Sequence, residues 1–78
     1  MNEITTIGAI MLWAEKTLPE GWANCDGATL DAMSNRDLYA LLGNRLGGEQ
    51  NRTFMLPKLP NVGAARHIIC TRGEFPSR

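Results

Sequence analysis

Apolar residues come in short bursts along this chain, and turn residues separate them. Residues 6–14 read as a strand: Ile7, Ala9, Met11 and Trp13 fall on one side at period two, and Gly8, Ile10, Leu12 and Ala14 on the other. Both sides are apolar. A strand of a half-exposed antiparallel sheet alternates with polar residues, so this pattern predicts cover on both faces. One cover is the chain's own core. For the other, a neighbouring subunit and a central position within one chain fit the pattern equally well. The candidate interface residues are Ile7, Ile10, Met11, Leu12 and Trp13, with Ile68 and Ile69 of a last strand over residues 66–71.

Residues 18–27, Leu-Pro-Glu-Gly-Trp-Ala-Asn-Cys-Asp-Gly, combine two turns with an aromatic anchor. Pro19 suits the second position of a β-turn and Gly21 supplies a positive φ. Trp22 is a large ring that needs a place in a small protein, and Cys25 is buriable. Asp26-Gly27 is a turn signal of the hairpin kind, and residues 28–30 read as a short strand. Ser34 precedes Asp37 at the spacing of a capping box. Leu38, Leu41 and Leu42 then make one apolar stripe, and Gly43 can end the helix in a left-handed cap. A helix over 35–42 is too short to persist alone in water, so it must dock by its leucines.

Residues 44–52, with Gly47-Gly48, read as an exposed loop. Residues 53–56, including Phe54 and Leu56, are extended and stopped by Pro57, and the prolines at 57 and 60 make the segment between them stiff and irregular. Residues 61–64 read as a turn, and 73–78 as a polar tail holding Phe75 and Pro76. The expected class is α+β, a small, mostly irregular β domain with short strands and one short helix, forming a single domain over 1–78.

Size sharpens the question of cover. For 8.6 kDa, surface scaling gives roughly 12,500 Å² for the unfolded chain and about 4,700 Å² when compact. If about 60% of the difference is apolar, burial is worth on the order of 115 kcal/mol. Ordering 78 residues at ~1.5 kcal/mol each costs about the same. A lone copy is therefore marginal, which tips the second cover toward a subunit interface or a larger assembly.

Formal net charge is zero, with eight basic and eight acidic residues mixed along the chain. That argues against a nucleic-acid binder, which needs a basic face to displace counterions. No apolar run approaches the ~20 residues of a membrane span, and the polar start at 2–6 is unlike a secretory leader. The expected site of synthesis and assembly is the host-cell cytoplasm.

Candidate chemistry is sparse. His67, Cys70, Cys25 and Asp26 offer a nitrogen, two sulfurs and an oxygen for zinc, but residues three apart on a strand point to opposite faces. Cys25 and Cys70 can pair in a disulfide or remain small buried hydrophobes, the usual fate of free cysteine. A Cys–His nucleophile needs an electropositive, accessible thiolate, and Ile-Ile-Cys70 is an apolar run. Asp31, Asp37 and Glu49 are scattered, Gly47-Gly48 lacks the context of a phosphate loop, and Arg45, Arg52 and Lys58 are explained by solvation. Trp13 and Trp22 could stack a sugar or a base, although burial in a core or interface is the commoner use of such rings. No catalytic residue, metal or cofactor is expected, and the chain does not read as an enzyme.

The order of the segments carries a resemblance. Gly8-Ala9-Ile10-Met11, then Leu18-Pro19-Glu20-Gly21-Trp22, then Cys25-Asp26-Gly27 resembles the phage tail collar domain, a family that includes tail-fibre collars and the microcystin-dependent proteins. Asp37-Leu38-Tyr39-Ala40-Leu41-Leu42-Gly43 is similar to the family's helix. Thr53-Phe54-Met55-Leu56-Pro57-Lys58-Leu59 is similar to its Phe-x-Leu-Pro-Asp-Leu segment, and 67–78 to the C-terminus of longer relatives. The resemblance implies a virion structural protein of a tail, fibre or neck. Its partners would be copies of itself, as a trimer, and other phage tail or fibre proteins, with no nucleic acid and no membrane insertion. Host attachment through a surface glycan, as a receptor- or carbohydrate-binding tip, is the alternative. Lys58 stands where the family has an acidic residue. Pro60-Asn61-Val62-Gly63 then passes almost at once to the closing strand, like a collar with its receptor-facing or connecting portion removed.

Overall fold

The computed structural model describes residues 6–75. Its elements are β1 (Ile10–Trp13), β2 (Trp22–Asn24), β3 (Thr29–Asp31), α1 (Arg36–Leu42), β4 (Thr53–Met55) and β5 (Arg66–Cys70). A three-stranded sheet runs β1-β5-β2, and β3 pairs with β4 in a separate two-stranded sheet. All of these strand pairs are antiparallel. This is the α+β, mostly β arrangement of short strands and one short helix that the sequence leads one to expect. Among the described residues, no helix is long and apolar enough to cross a membrane.

The last strand takes the central place. β5 opposes Ile10, Met11, Leu12 and Trp13 with Ile69, Ile68, His67 and Arg66 on one side. On the other it opposes Trp22, Ala23 and Asn24 with Cys70, Ile69 and Ile68. Paired residues share a face, so Ile10, Leu12, Ala23, His67 and Ile69 lie on one face, and Met11, Trp13, Trp22, Asn24, Ile68 and Cys70 on the other. The first face meets the core, where Ile69 joins Ile7, Cys25, Ala32, Leu38, Phe54 and Leu56. Leu38 anchors α1 there with no exposure, and Leu41 and Leu42 pack at the margin. The Tyr39 and Phe54 rings meet at 5.3 Å between centroids, tilted by 48°, a favourable aromatic geometry.

On the second face, the chain after β1 is tied to the end of the sheet where Trp13 opposes Arg66. Trp13 Nε1–H donates to Thr17 O at 3.0 Å, and Arg66 Nη2 donates to Glu15 O and Lys16 O at 2.9 Å each. Ile68 and Cys70, on this side, are fully buried.

Several local expectations are corrected. The strand expected over 6–14 is only Ile10–Trp13, because Gly8 N–H donates to Cys70 O while Cys70 N–H donates to Ala9 O, both at 2.9 Å. Two residues against one make a bulge. Ahead of it Ile7 lies inside the core, its N–H bonded to Glu74 O at 2.9 Å. Pro19 opens its turn at the first position, not the second: Trp22 N–H donates to Pro19 O at 3.2 Å. Gly21, with φ 85°, sits third, as a type II turn requires. Asp26-Gly27 closes no hairpin, since β2 and β3 belong to different sheets. Ser34 does not cap α1 either; its N–H and Oγ–H both donate to Asp31 Oδ2, at 2.9 and 3.0 Å. Asn35 holds the N-cap position without a side-chain cap bond. Gly43 does end the helix, its N–H donating to Tyr39 O at 2.7 Å, but at φ 59°, ψ −152° it lies outside the left-handed helical region.

Candidate interaction surface

The seven apolar residues singled out as interface candidates divide cleanly. Ile7, Ile68 and Ile69 are interior, at 4%, 0% and 0% exposure, and offer no surface. Ile10, Met11 and Leu12 remain 43%, 37% and 50% exposed, with Trp13 half-buried beside them. Reading both sides of the first strand as covered is thus half right at most within one copy. The core reaches Ile7 but stops short of β1.

Backbone polarity adds to this. In an antiparallel strand each residue turns its N–H and C=O to the same side, and successive residues alternate. Cys70 bonds toward β1, through Gly8 and Ala9, whereas His67 O accepts from Cys25 N–H at 3.0 Å and Thr71 N–H donates to Gly21 O at 2.7 Å, toward β2. Even-numbered residues of β5 therefore serve β1 and odd-numbered ones serve β2. By the register, Met11 and Trp13 bond inward to Ile68 and Arg66. Ile10 and Leu12 turn their N–H and C=O outward, on an edge where no strand lies among the described residues. The open backbone groups and the two most exposed side chains of β1 belong to the same two residues.

The stiff segment 54–60 turns out to be occupied by its own chain. Phe54 and Leu56 are buried, and Pro57 and Leu59 half-buried. Gly27 N–H donates to Pro57 O at 3.3 Å, Leu59 N–H donates to Cys25 O at 3.0 Å, and Asp26 pairs with Lys58 in an antiparallel bridge. Of this segment only Lys58 and Pro60 remain on the outside.

The two cysteines are free, buried, and on opposite faces of the sheet. Cys70 shares its face with Trp22 and Asn24, and Cys25, one residue past Asn24, turns into the core. Burial, reinforced by the Asp26 charge, pushes the Cys25 thiol above the ordinary 9.0, and burial does the same to Cys70. Neither has the electropositive setting of a reactive thiolate. His67 Nδ1 lies 2.9 Å from Pro60 O, and Cys70 is on the far side of the sheet from it. A cleft of about 360 Å³ lies between the ends of β2 and β5 and residues 58–61, with Asn24, Asp26, Lys58 and His67 on its walls. Trp22 borders a second, open depression with Glu20, Thr71 and Arg72.

The loop over 44–52 is exposed at its tip but held from within, a feature with no periodic signal in sequence. Tyr39 Oη–H donates to Asn44 Oδ1 at 2.8 Å and accepts from Asn51 N–H at 2.9 Å. Asn44 Nδ2 donates to Gly47 O at 3.1 Å and Thr53 O at 2.8 Å. An amide directly after the helix-ending Gly43 was the available cue.

The phage tail collar domain model matches residues 8–62, more than two thirds of the chain, and the chain belongs to that family. No curated protein matches it. Membership implies a structural role in a phage tail fibre and a place in the tail or fibre of a virion; the family is structural and not known as enzymatic. The matched span includes β1, the turn at Pro19–Trp22, α1 and the 54–60 segment. It stops before β5, the strand on which the larger sheet is built.

Proposed function

We propose that the chain is a structural piece of a phage or phage-derived tail, a single minimal collar domain that assembles with copies of itself and caps, clasps or docks a fibre, tail or neck component. A trimer is the arrangement that family resemblance favours. The observation that carries this reading is the surface at Ile10, Met11 and Leu12, three consecutive apolar residues left 37–50% exposed on a strand with an open edge. Charge and proline, two of the devices that blunt such edges in monomeric proteins, are absent between Ala9 and Ala14. Measuring the native mass of the purified protein tests it: an oligomer at micromolar concentration is expected, and a well-folded monomer there would overturn it.

The alternative, a receptor- or carbohydrate-binding tip, draws support from one observation: Trp22 stands half-buried at the open depression with Glu20, Thr71 and Arg72. An indole face beside a carboxylate and a guanidinium suits a sugar. Acrylamide quenching of tryptophan fluorescence with and without a glycan panel separates the readings; a binding tip requires a quenchable indole that a glycan protects.

A further inference from the structure

We propose that the cleft between the ends of β2 and β5 and residues 58–61 binds a small carboxylate that also carries a hydrogen-bond donor, a hydroxyl or an ammonium. The site shares no residue with the open edge of β1 or with the depression at Trp22, and it is independent of the assembly proposed above.

At about 360 Å³ the cleft falls in the size range of small-molecule sites, roughly 300–1,000 Å³. What singles it out is how its polar side chains are held: each has one group engaged by the chain and another left over. Arg66 Nη2 donates to Glu15 O and Lys16 O at 2.9 Å each, which fixes the guanidinium, and Nη1 makes no hydrogen bond among the described residues. Pro60 O can only accept, so His67 Nδ1 carries the proton of their 2.9 Å contact, and Nε2 of the neutral ring is left as an acceptor. Asp26 Oδ1 accepts from Ala28 N–H at 3.1 Å, and Oδ2 remains. The Lys58 stem lies across Gly27, close enough that a Cβ there would meet its carbons at 3.5–3.8 Å. Its ammonium has no ion-pair partner among the described residues. Groups already oriented by their own chain cost little further ordering when a ligand arrives. In the same wall Asn24 Oδ1 and Arg66 Nε are buried with no hydrogen-bond partner. Buried polar atoms are normally paired, so the chain does not complete this wall by itself.

Charge and donor pattern set the ligand. Two cations, Lys58 and Arg66, stand against one carboxylate, Asp26, so the wall takes an anion, and a fixed guanidinium suits the planar carboxylate. Asp26 Oδ2 and His67 Nε2 are acceptors, so the other end of the ligand must donate. Leu59 and Pro60 supply apolar wall for the atoms between.

The test is a proton–nitrogen NMR titration of the full chain with two probes, galacturonate for the hydroxyl donor and serine for the ammonium. Shifts centred on 24–26, 58–61 and 66–67 are expected with at least one of them, and the tighter probe identifies the donor. Acetate, which lacks the donor, and galactose, which lacks the anion, should bind about tenfold more weakly. Lys58→Ala, at an exposed side chain, should weaken the tighter probe about tenfold and leave amide signals away from the cleft in place. Asp26→Asn keeps an oxygen for Ala28 N–H and should weaken that probe by a similar factor. No shift with either probe at ~50 mM overturns the site. Acetate or galactose binding as tightly as the better probe overturns recognition at two ends, and a Lys58→Ala variant that binds like the wild-type overturns the anion contact.

Discussion

β5 and β1 carry nearly the same kind of sequence and meet opposite fates. Ile68-Ile69-Cys70 has no exposed surface, whereas Ile10-Met11-Leu12, paired directly to the same strand, is 37–50% exposed. Hydropathy does not separate them. Position in the sheet does: β5 has a strand on each side and is buried on both faces, with Ile69 in the core on one and Ile68 and Cys70 without exposure on the other. β1 has one neighbour. An apolar strand is interior only where the topology supplies partners, and where it does not, the same residues become surface for something else.

The largest test of that contrast is Ile69→Ala. Truncating this fully buried side chain at the meeting of sheet and core should cost about 2–5 kcal/mol, a large share of what a domain this size holds. A urea titration reads it as a drop in midpoint, and a cost below about 1 kcal/mol would mean that the core closes elsewhere.

Tyr39→Phe asks whether burial is the only way this chain orders a segment. It removes the hydroxyl that bonds Asn44 and Asn51 and leaves the ring on Phe54. A loss of about 1–3 kcal/mol is expected from two part-buried bonds, with faster amide hydrogen exchange confined to 44–52. Exchange that rises equally in β5 would refute a local role.

The thiols give a smaller, pH-dependent signal. Both Cys25 and Cys70 have folded-state pKa values raised above 9.0. Below that pH they are neutral in both states and contribute no slope. Above it the unfolded chain ionises first and binds fewer protons, so stability falls as pH rises from 9.0 toward the folded values. Urea midpoints taken from about pH 8 to about pH 10.5 should decline, and replacing both cysteines with alanine should flatten the decline; an unchanged slope would place the thiols in water.

Leu12→Thr is expected to have the smallest effect on the isolated copy, within about 0.5 kcal/mol. A penalty near that of Ile69→Ala would show that β1 is already covered and erase the contrast.

Much of the local structure was legible in the chain. The α1 stripe of Leu38, Leu41 and Leu42, its end at Gly43, the extended piece stopped by Pro57 and the strand at 66–70 all derive from side-chain period and backbone stiffness. What could not be read is long-range. Nothing near residues 10–24 announces that β5, more than forty residues later, inserts between β1 and β2. That insertion makes Ile68 and Ile69 core instead of interface. Asp26-Gly27 misled for the same reason, since its hairpin-like pair serves a chain moving from one sheet to the other. Ser34 carried the right spacing for a cap, but Asp31 competes for its hydroxyl. The exposure of Ile10 and Leu12 was expected as a consequence of too little core; which edge stays open required the register.

With Cys25 and Cys70 on opposite sides of one sheet, the fold holds no cross-link to lose under reduction and no neighbouring thiols to join under oxidation. Its covalent skeleton stays the same inside a reducing cell and in open medium, so a particle that passes from one to the other carries this part across unaltered.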